Sequence, residues 1–118
     1  MRKPTKKSIK AKLDKIVSLK TRALGVCQLC GNSDYSHLET SHIFSRKNLA
    51  TRWDLKNCLC SCDGCHFWSH QNPLLFADKV KTILGDYEYQ NLKAKAISTK
   101  KWTLEEMIEL YESLKGIE

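Results

Sequence analysis

The sequence predicts a small α+β domain in which a metal-stabilised strand–strand–helix centre is flanked by a basic N-terminal helix and by C-terminal helices. Three observations lead there. Two cysteine pairs, Cys27-x-x-Cys30 and Cys62-x-x-Cys65, have 31 residues between them, and two such pairs are the ligand spacing of a closed, structural zinc (Zn2+) site. The apolar positions outside that centre recur at helical spacing. A chain of 118 residues, 42% hydrophobic and 28% charged, is enough for one small core.

Residues 1–7 read as a flexible basic arm. Ile9, Leu13, Ile16, Val17 and Leu24 then recur as the stripe of an amphipathic helix that ends near Gly25. Arg2, Lys3, Lys6, Lys7, Lys10, Lys12, Lys15, Lys20 and Arg22 face a single acid in this stretch, Asp14. With 20 basic against 13 acidic side chains in the whole chain, a net +7, this excess suits a polyanion, either nucleic acid or an anionic membrane surface. The plainer alternative is a solvated basic end. No apolar run is long enough to span a bilayer, and no apolar signal segment follows the basic start. The expectation is therefore an intracellular chain with no membrane partner, whose six cysteines stay reduced and free for metal binding rather than forming disulfides.

From Val26 to about His70 the chain is metal-rich, with tight turns at Gly31-Asn32-Ser33-Asp34 and Cys62-Asp63-Gly64-Cys65. Ser36 to Phe44 can be one strand. Asn57 to Cys60 can be a second, with Cys58 and Cys60 on one side and Leu59 on the other. After Cys65 a short helix is expected, ending before Pro73 because proline restricts its predecessor. Trp53, Phe67 and Trp68 are expected to cover the small core, and His37 to lie in a loop. Helices should follow over Leu74 to Leu84, Asp86 to Ile97 and from Thr103, where Thr103 and Glu106 form a capping-box signature ahead of Leu104, Met107, Ile108, Tyr111 and Leu114. The organisation is thus arm and helix over 1–25, metal-bound centre over 26–72 and helical buttress over 73–118, within one compact unit.

Four thiolates on one zinc leave no open position for a substrate, so the polar residues around the knuckles need another role. Cys58 and Cys60 compete in register with Cys62. The CxxC spacing, which lets backbone amides point at both sulfurs, assigns the ligands as Cys27, Cys30, Cys62 and Cys65 and leaves Cys58 and Cys60 as buried thiols. His66 and His70, four apart, share one helix face and can chelate a second, catalytic divalent ion; the alternative is a pair of surface histidines. Taken singly, His42 reads as a hydrogen-bonded strand histidine and Asn57 as a turn or strand-edge amide.

Together, His42, Asn57 and His66, the ending Cys62-x-x-Cys65-His66 and the earlier Cys27-x-x-Cys30 pair resemble the HNH endonucleases. More narrowly, Leu38-Glu39-Thr40-Ser41-His42-Ile43-Phe44-Ser45-Arg46, followed by Ala50-Thr51-Arg52-Trp53-Asp54 and Asn57, is similar to the phage NinG/Rap type of recombination nuclease. The resemblance implies a treble-clef-like ββα-metal fold and metal-dependent hydrolysis of DNA phosphodiester bonds in the cytoplasm of a bacterium or bacterial host. His42 would be the general base, with Asn57 holding its imidazole. His66 would ligate Mg2+ or another divalent ion such as Mn2+ or Ni2+. Arg46 and Arg52, following the base, are placed to meet phosphates. The family commonly carries an aspartate or histidine ligand before the base, where this chain has Ser41, a poor ligand. His70 is the preferred replacement. Glu39, three residues from His42 and so on the opposite strand face, is the weaker one. The partner implied is duplex or branched DNA, and a homodimer is one route to cutting both strands. The competing reading is a non-catalytic zinc module that binds nucleic acid through its basic helix.

Overall fold

The structure, a computed structural model, describes residues 4–116. Helix α1 (Lys6–Arg22) leads into two antiparallel strands, β1 (Leu38–His42) and β2 (Cys58–Cys62), and then into α2 (Asp63–Gln71), α3 (Pro73–Leu84), α4 (Asp86–Ala96) and α5 (Leu104–Lys115). The strand, strand, helix order of the centre is as expected, as are the flanking helices. Among the described residues no helix is long and apolar enough to cross a membrane.

Helix α1 starts earlier than its apolar stripe suggests. Thr5 is its N-cap, and the Ser8 amide and the Thr5 amide each donate to the other residue's hydroxyl, at 3.1 and 2.9 Å, so two orphan amides are satisfied reciprocally. Of the expected arm, Lys6 and Lys7 are therefore helical, while Arg2 and Lys3 lie outside the described residues. At the other end Leu24 falls beyond the helix and is 55% exposed, so it is no part of the buried stripe.

The strands are short, and Leu38 pairs with Cys62 and His42 with Cys58. β1 is shorter than the run Ser36 to Phe44, because Ile43 and Phe44 leave the ladder to bond Asn57. β2 runs on through Cys62, which also caps α2 with its sulfur accepting from the Cys65 amide at 3.4 Å. The helix thus opens before Cys65 rather than after it.

Both sheet faces are covered, which is why every residue of β2 is buried. On one face Cys58 joins Ile9, Leu13 and Val17 of α1, with Trp53, Met107 and Leu114 completing the cluster; Leu38 and Cys60 join the cysteine knuckles on the same side. On the other, Leu59 packs with Phe76, Val80 and Tyr89 of α3 and α4, flanked by Trp68. The parity expected for Cys58, Leu59 and Cys60 holds. The C-terminal helices are split by it, α3 and α4 lying over Leu59 and α5 returning to α1. Each fully buried aliphatic such as Leu13 or Val80 contributes about 1.5–3 kcal/mol.

Trp53 is buried and Trp68 half-buried, but Phe67 is 68% exposed. Helix α2 turns Ser69 inward instead. The Ser69 hydroxyl donates to the His66 carbonyl at 2.7 Å, so a small polar side chain is buried with its hydrogen bond made.

A candidate metal centre and the groove beside it

Cys27, Cys30, Cys62 and Cys65 converge, all four Sγ atoms lying within 4.8 Å of one another. A zinc–sulfur bond of ~2.3 Å separates tetrahedral ligands by ~3.8 Å, and Cys30 Sγ stands 3.7 Å from Cys62 Sγ. The donor set and its spacing therefore fit one tetrahedral metal ion of zinc type. Backbone amides point at Cys27, Cys30 and Cys62, the Cys65 amide reaching Cys62 Sγ at 3.4 Å. Burial alone would raise the Cys27 thiol, but amides of Cys62, Leu29 and Cys30 outweigh it and bring the pKa to about 7. Cys58 and Cys60 stand outside the cluster. Burial pushes the Cys58 thiol up to about 12, and its sulfur donates to the Asp54 carbonyl at 3.6 Å.

Beside this centre, the outer edge of β1 floors an open groove of about 960 Å³. Asp14, Ser18 and Arg22 of α1 form one wall, and His66, Ser69 and His70 of α2 with Pro73 and Phe76 of α3 form the other. His42, Arg46, Arg52, His66 and His70 all line it. Residues read as functional from the sequence are thus gathered in one place.

On the α1 side, His42 Nε2 lies 3.3 Å from the Arg52 carbonyl oxygen. A carbonyl only accepts, so Nε2 carries the proton and Nδ1 keeps its lone pair. Burial lowers the His42 pKa below the ordinary histidine value; the Arg52 carbonyl works against this, while the charges of Arg46 and Arg52 add to the lowering. The imidazole is therefore neutral at neutral pH.

Asn57, fully buried, does not hold that imidazole as the resemblance implied. Its side-chain nitrogen donates to the Phe44 carbonyl at 3.0 Å and its oxygen accepts from the Phe44 amide at 2.9 Å. Both ends are spent on the chain just after β1, so Asn57 fixes the backbone beyond His42 and the Arg52 carbonyl takes the ring. Ser41 is likewise committed, its hydroxyl 2.6 Å from that of Ser61 on the neighbouring strand.

Arg46 and Arg52 both reach Asp14. Arg52 donates from Nε to Oδ1 at 3.1 Å and from Nη2 to Oδ2 at 2.8 Å, Arg46 donates from Nη2 to Oδ2 at 3.0 Å, and the Trp53 indole donates to Oδ1 at 2.8 Å. Burial would raise the Asp14 carboxyl, but the bonds from Arg52 and Trp53 and both arginine charges hold it below the usual carboxylate value.

On the α2 side, His66 and His70 have ring centroids 4.9 Å apart, as expected for positions four apart on one helix. Glu39 Oε1 lies 2.6 Å from His66 Nδ1. Glu39 does point away from the face of His42, and that direction is the one α2 occupies. Counted from Ser41 rather than His42, strand parity puts Glu39 beside the helix histidines. Asp14 is a site residue that sequence reasoning does not single out; its standing as the lone acid among the lysines of α1 is the available signal. No known protein family, curated protein or solved structure matches this chain.

Proposed function

We propose that this protein is a metal-dependent endonuclease that hydrolyses DNA phosphodiester bonds in the groove between α1 and α2, with a structural zinc on the four cysteines. The observation that carries this reading is the pairing, across one groove, of a neutral imidazole with a lone pair at Nδ1 and a carboxylate-backed histidine pair.

His42 Nδ1 is the base that takes a proton from the attacking water, which a neutral imidazole can do and a lysine at the same place could not. His66 and His70 would hold the divalent ion, Mg2+, Mn2+ or Ni2+. Glu39 accepts from His66 Nδ1 and so turns Nε2 of that ring outward for ligation. When bound there, such an ion supplies charge stabilisation at the phosphate and the departing 3′ oxygen. Arg46, half-exposed on the groove rim, is the cation best able to leave Asp14 for a phosphate.

The test is nicking of supercoiled plasmid and of a branched DNA by zinc-loaded protein, with each metal against chelator. Wild type should nick with metal, and His42→Ala should lose about 10²–10⁴-fold in rate with zinc content and DNA affinity unchanged. A second reading, a zinc-stabilised nucleic-acid-binding module, is favoured by the engagement of Ser41 with Ser61 and of both arginines with Asp14. DNA binding without cleavage under every metal would select it.

A further inference from the structure

We propose that Asp14, on α1, is the positioning residue for His42 and acts on it through Arg52. The inference rests on the proposed role of His42 as base. What it adds is the device that fixes the base's tautomer and direction, since the Asn57 amide is spent on Phe44.

The carbonyl that receives His42 Nε2–H belongs to the peptide group joining Arg52 and Trp53. The side chains on both ends of that peptide are tied to one carboxylate, Arg52 by two bonds and Trp53 by one. Three bonds converging on Asp14 therefore fix the plane and height of the peptide between them. The anchor is itself rigid, because Leu13 before it is fully buried and Val17 one turn on is 1% exposed. From α1 the order is Asp14, the Arg52 fork and Trp53 indole, the Arg52 carbonyl, and last the imidazole. Nδ1 is left facing the groove by elimination. Nothing in the sequence near His42 supplies this support; it comes from 28 residues upstream (42 − 14).

The same geometry separates the two arginines. Arg52 has a forked pair of bonds and a side chain 21% exposed, whereas Arg46 has one bond and is 54% exposed. Arg52 is the fixed member that holds the base. Arg46 is the exchangeable one.

The experiment is nitrogen-15 NMR of the imidazoles in the zinc-loaded full chain, with the His42 signals assigned by their loss in His42→Ala. It is read beside kcat and KM for plasmid nicking in Asp14→Ala, Asp14→Asn and Arg52→Lys. Wild type should show the Nε2–H tautomer. Asp14→Ala should give a mixture of tautomers with kcat down about tenfold or more and KM nearly unchanged. Arg52→Lys, which keeps the charge but loses the fork, should reproduce the tautomer shift. Asp14→Asn, isosteric but with a single acceptor, should fall between.

An unchanged tautomer in folded Asp14→Ala overturns the proposal, and a rise in KM with unchanged tautomer would make Asp14 and Arg52 a substrate-binding pair instead. Loss of the folded, zinc-loaded state in both Asp14 variants would make Asp14 a residue of the fold and overturn it too. Should wild type cleave nothing, the nuclease reading falls while the tautomer measurement still decides whether Asp14 orients His42.

Discussion

Glu39 Oε1 and His66 Nδ1 lie 2.6 Å apart across the strand–helix junction, a carboxylate–imidazole contact that leaves Nε2 of His66 as the nitrogen available to a metal ion. Removing such a supporting carboxylate commonly costs 10–100-fold in metal affinity. Glu39→Ala should therefore weaken Mn2+ binding about 10–100-fold, followed by the paramagnetic resonance of the free ion, while the zinc content stays the same. Glu39→Gln, which can still accept from Nδ1, should lose less. Equal Mn2+ affinity in wild type and Glu39→Ala would separate Glu39 from the metal.

The cysteine knuckles make a different claim, that four thiols and no others hold the zinc. In so small a core, metal-binding free energy is folding free energy. Stripping the metal should cost the cooperative thermal transition, and Cys62→Ser should do the same. Cys58→Ala should keep one zinc per chain and lose about 1–2 kcal/mol of stability for its buried sulfur. Metal analysis of the purified variants checks this directly, with one zinc per chain expected in wild type and Cys58→Ala and less in Cys62→Ser. A drop in zinc content in Cys58→Ala would show that Cys58 belongs to the ligand set.

Those knuckles are legible because ligand spacing is local and chemically narrow, and so is the Thr103–Glu106 cap, whose two reciprocal bonds form as expected. The matching cap at Thr5 is harder to see, since Ser8, not a glutamate, answers it. Hydrophobicity misleads at Phe67. Its place on α2 decides its exposure, and the inward face is filled by Ser69, satisfied within its own helix. Asp14 can be noticed but not interpreted, because its partners Arg46, Arg52 and Trp53 come from 32 to 39 residues away along the chain. Asn57 is found by motif, yet its partner is not, since which carbonyl meets a ring depends on how the 43–57 connection is clamped to α1.

Burial and the charges of Arg46 and Arg52 hold the His42 pKa below its ordinary value of 6.5. The acid limb of kcat/KM for cleavage should accordingly fall below that pH, and Arg46→Gln should move it upward by removing one repelling charge. Stability follows with a definite sign. Because the folded-state value lies below the unfolded one, the unfolded chain takes the proton first as pH falls. The contribution is complete above about 6.5 and declines from there toward the folded value. Denaturant melts of wild type and His42→Ala between neutral and mildly acidic pH should show a shallower slope in the variant. An identical slope would mean that His42 titrates alike in both states.

The lysines of α1 should not act alike toward DNA. Asp14 and Ser18 line the groove, and positions three, four and seven before Asp14 continue the same helix face, which brings in Lys10 and Lys7. Lys12 is turned the other way, its ammonium 5.8 Å from the Tyr111 ring of α5. Every lysine that neutralises a DNA phosphate adds about 0.9 to the log–log slope of affinity against salt. Replacing Lys7 and Lys10 together with glutamine should thus flatten that slope by about 1.8, twice the single-phosphate value, and Lys12→Gln should leave it almost unchanged. Fluorescence anisotropy of a labelled duplex across a salt series measures both. Equal, small changes in both variants would return the basic helix to a solvated surface, whereas a large effect of Lys12→Gln would put the DNA on the α5 side of α1 and away from His42.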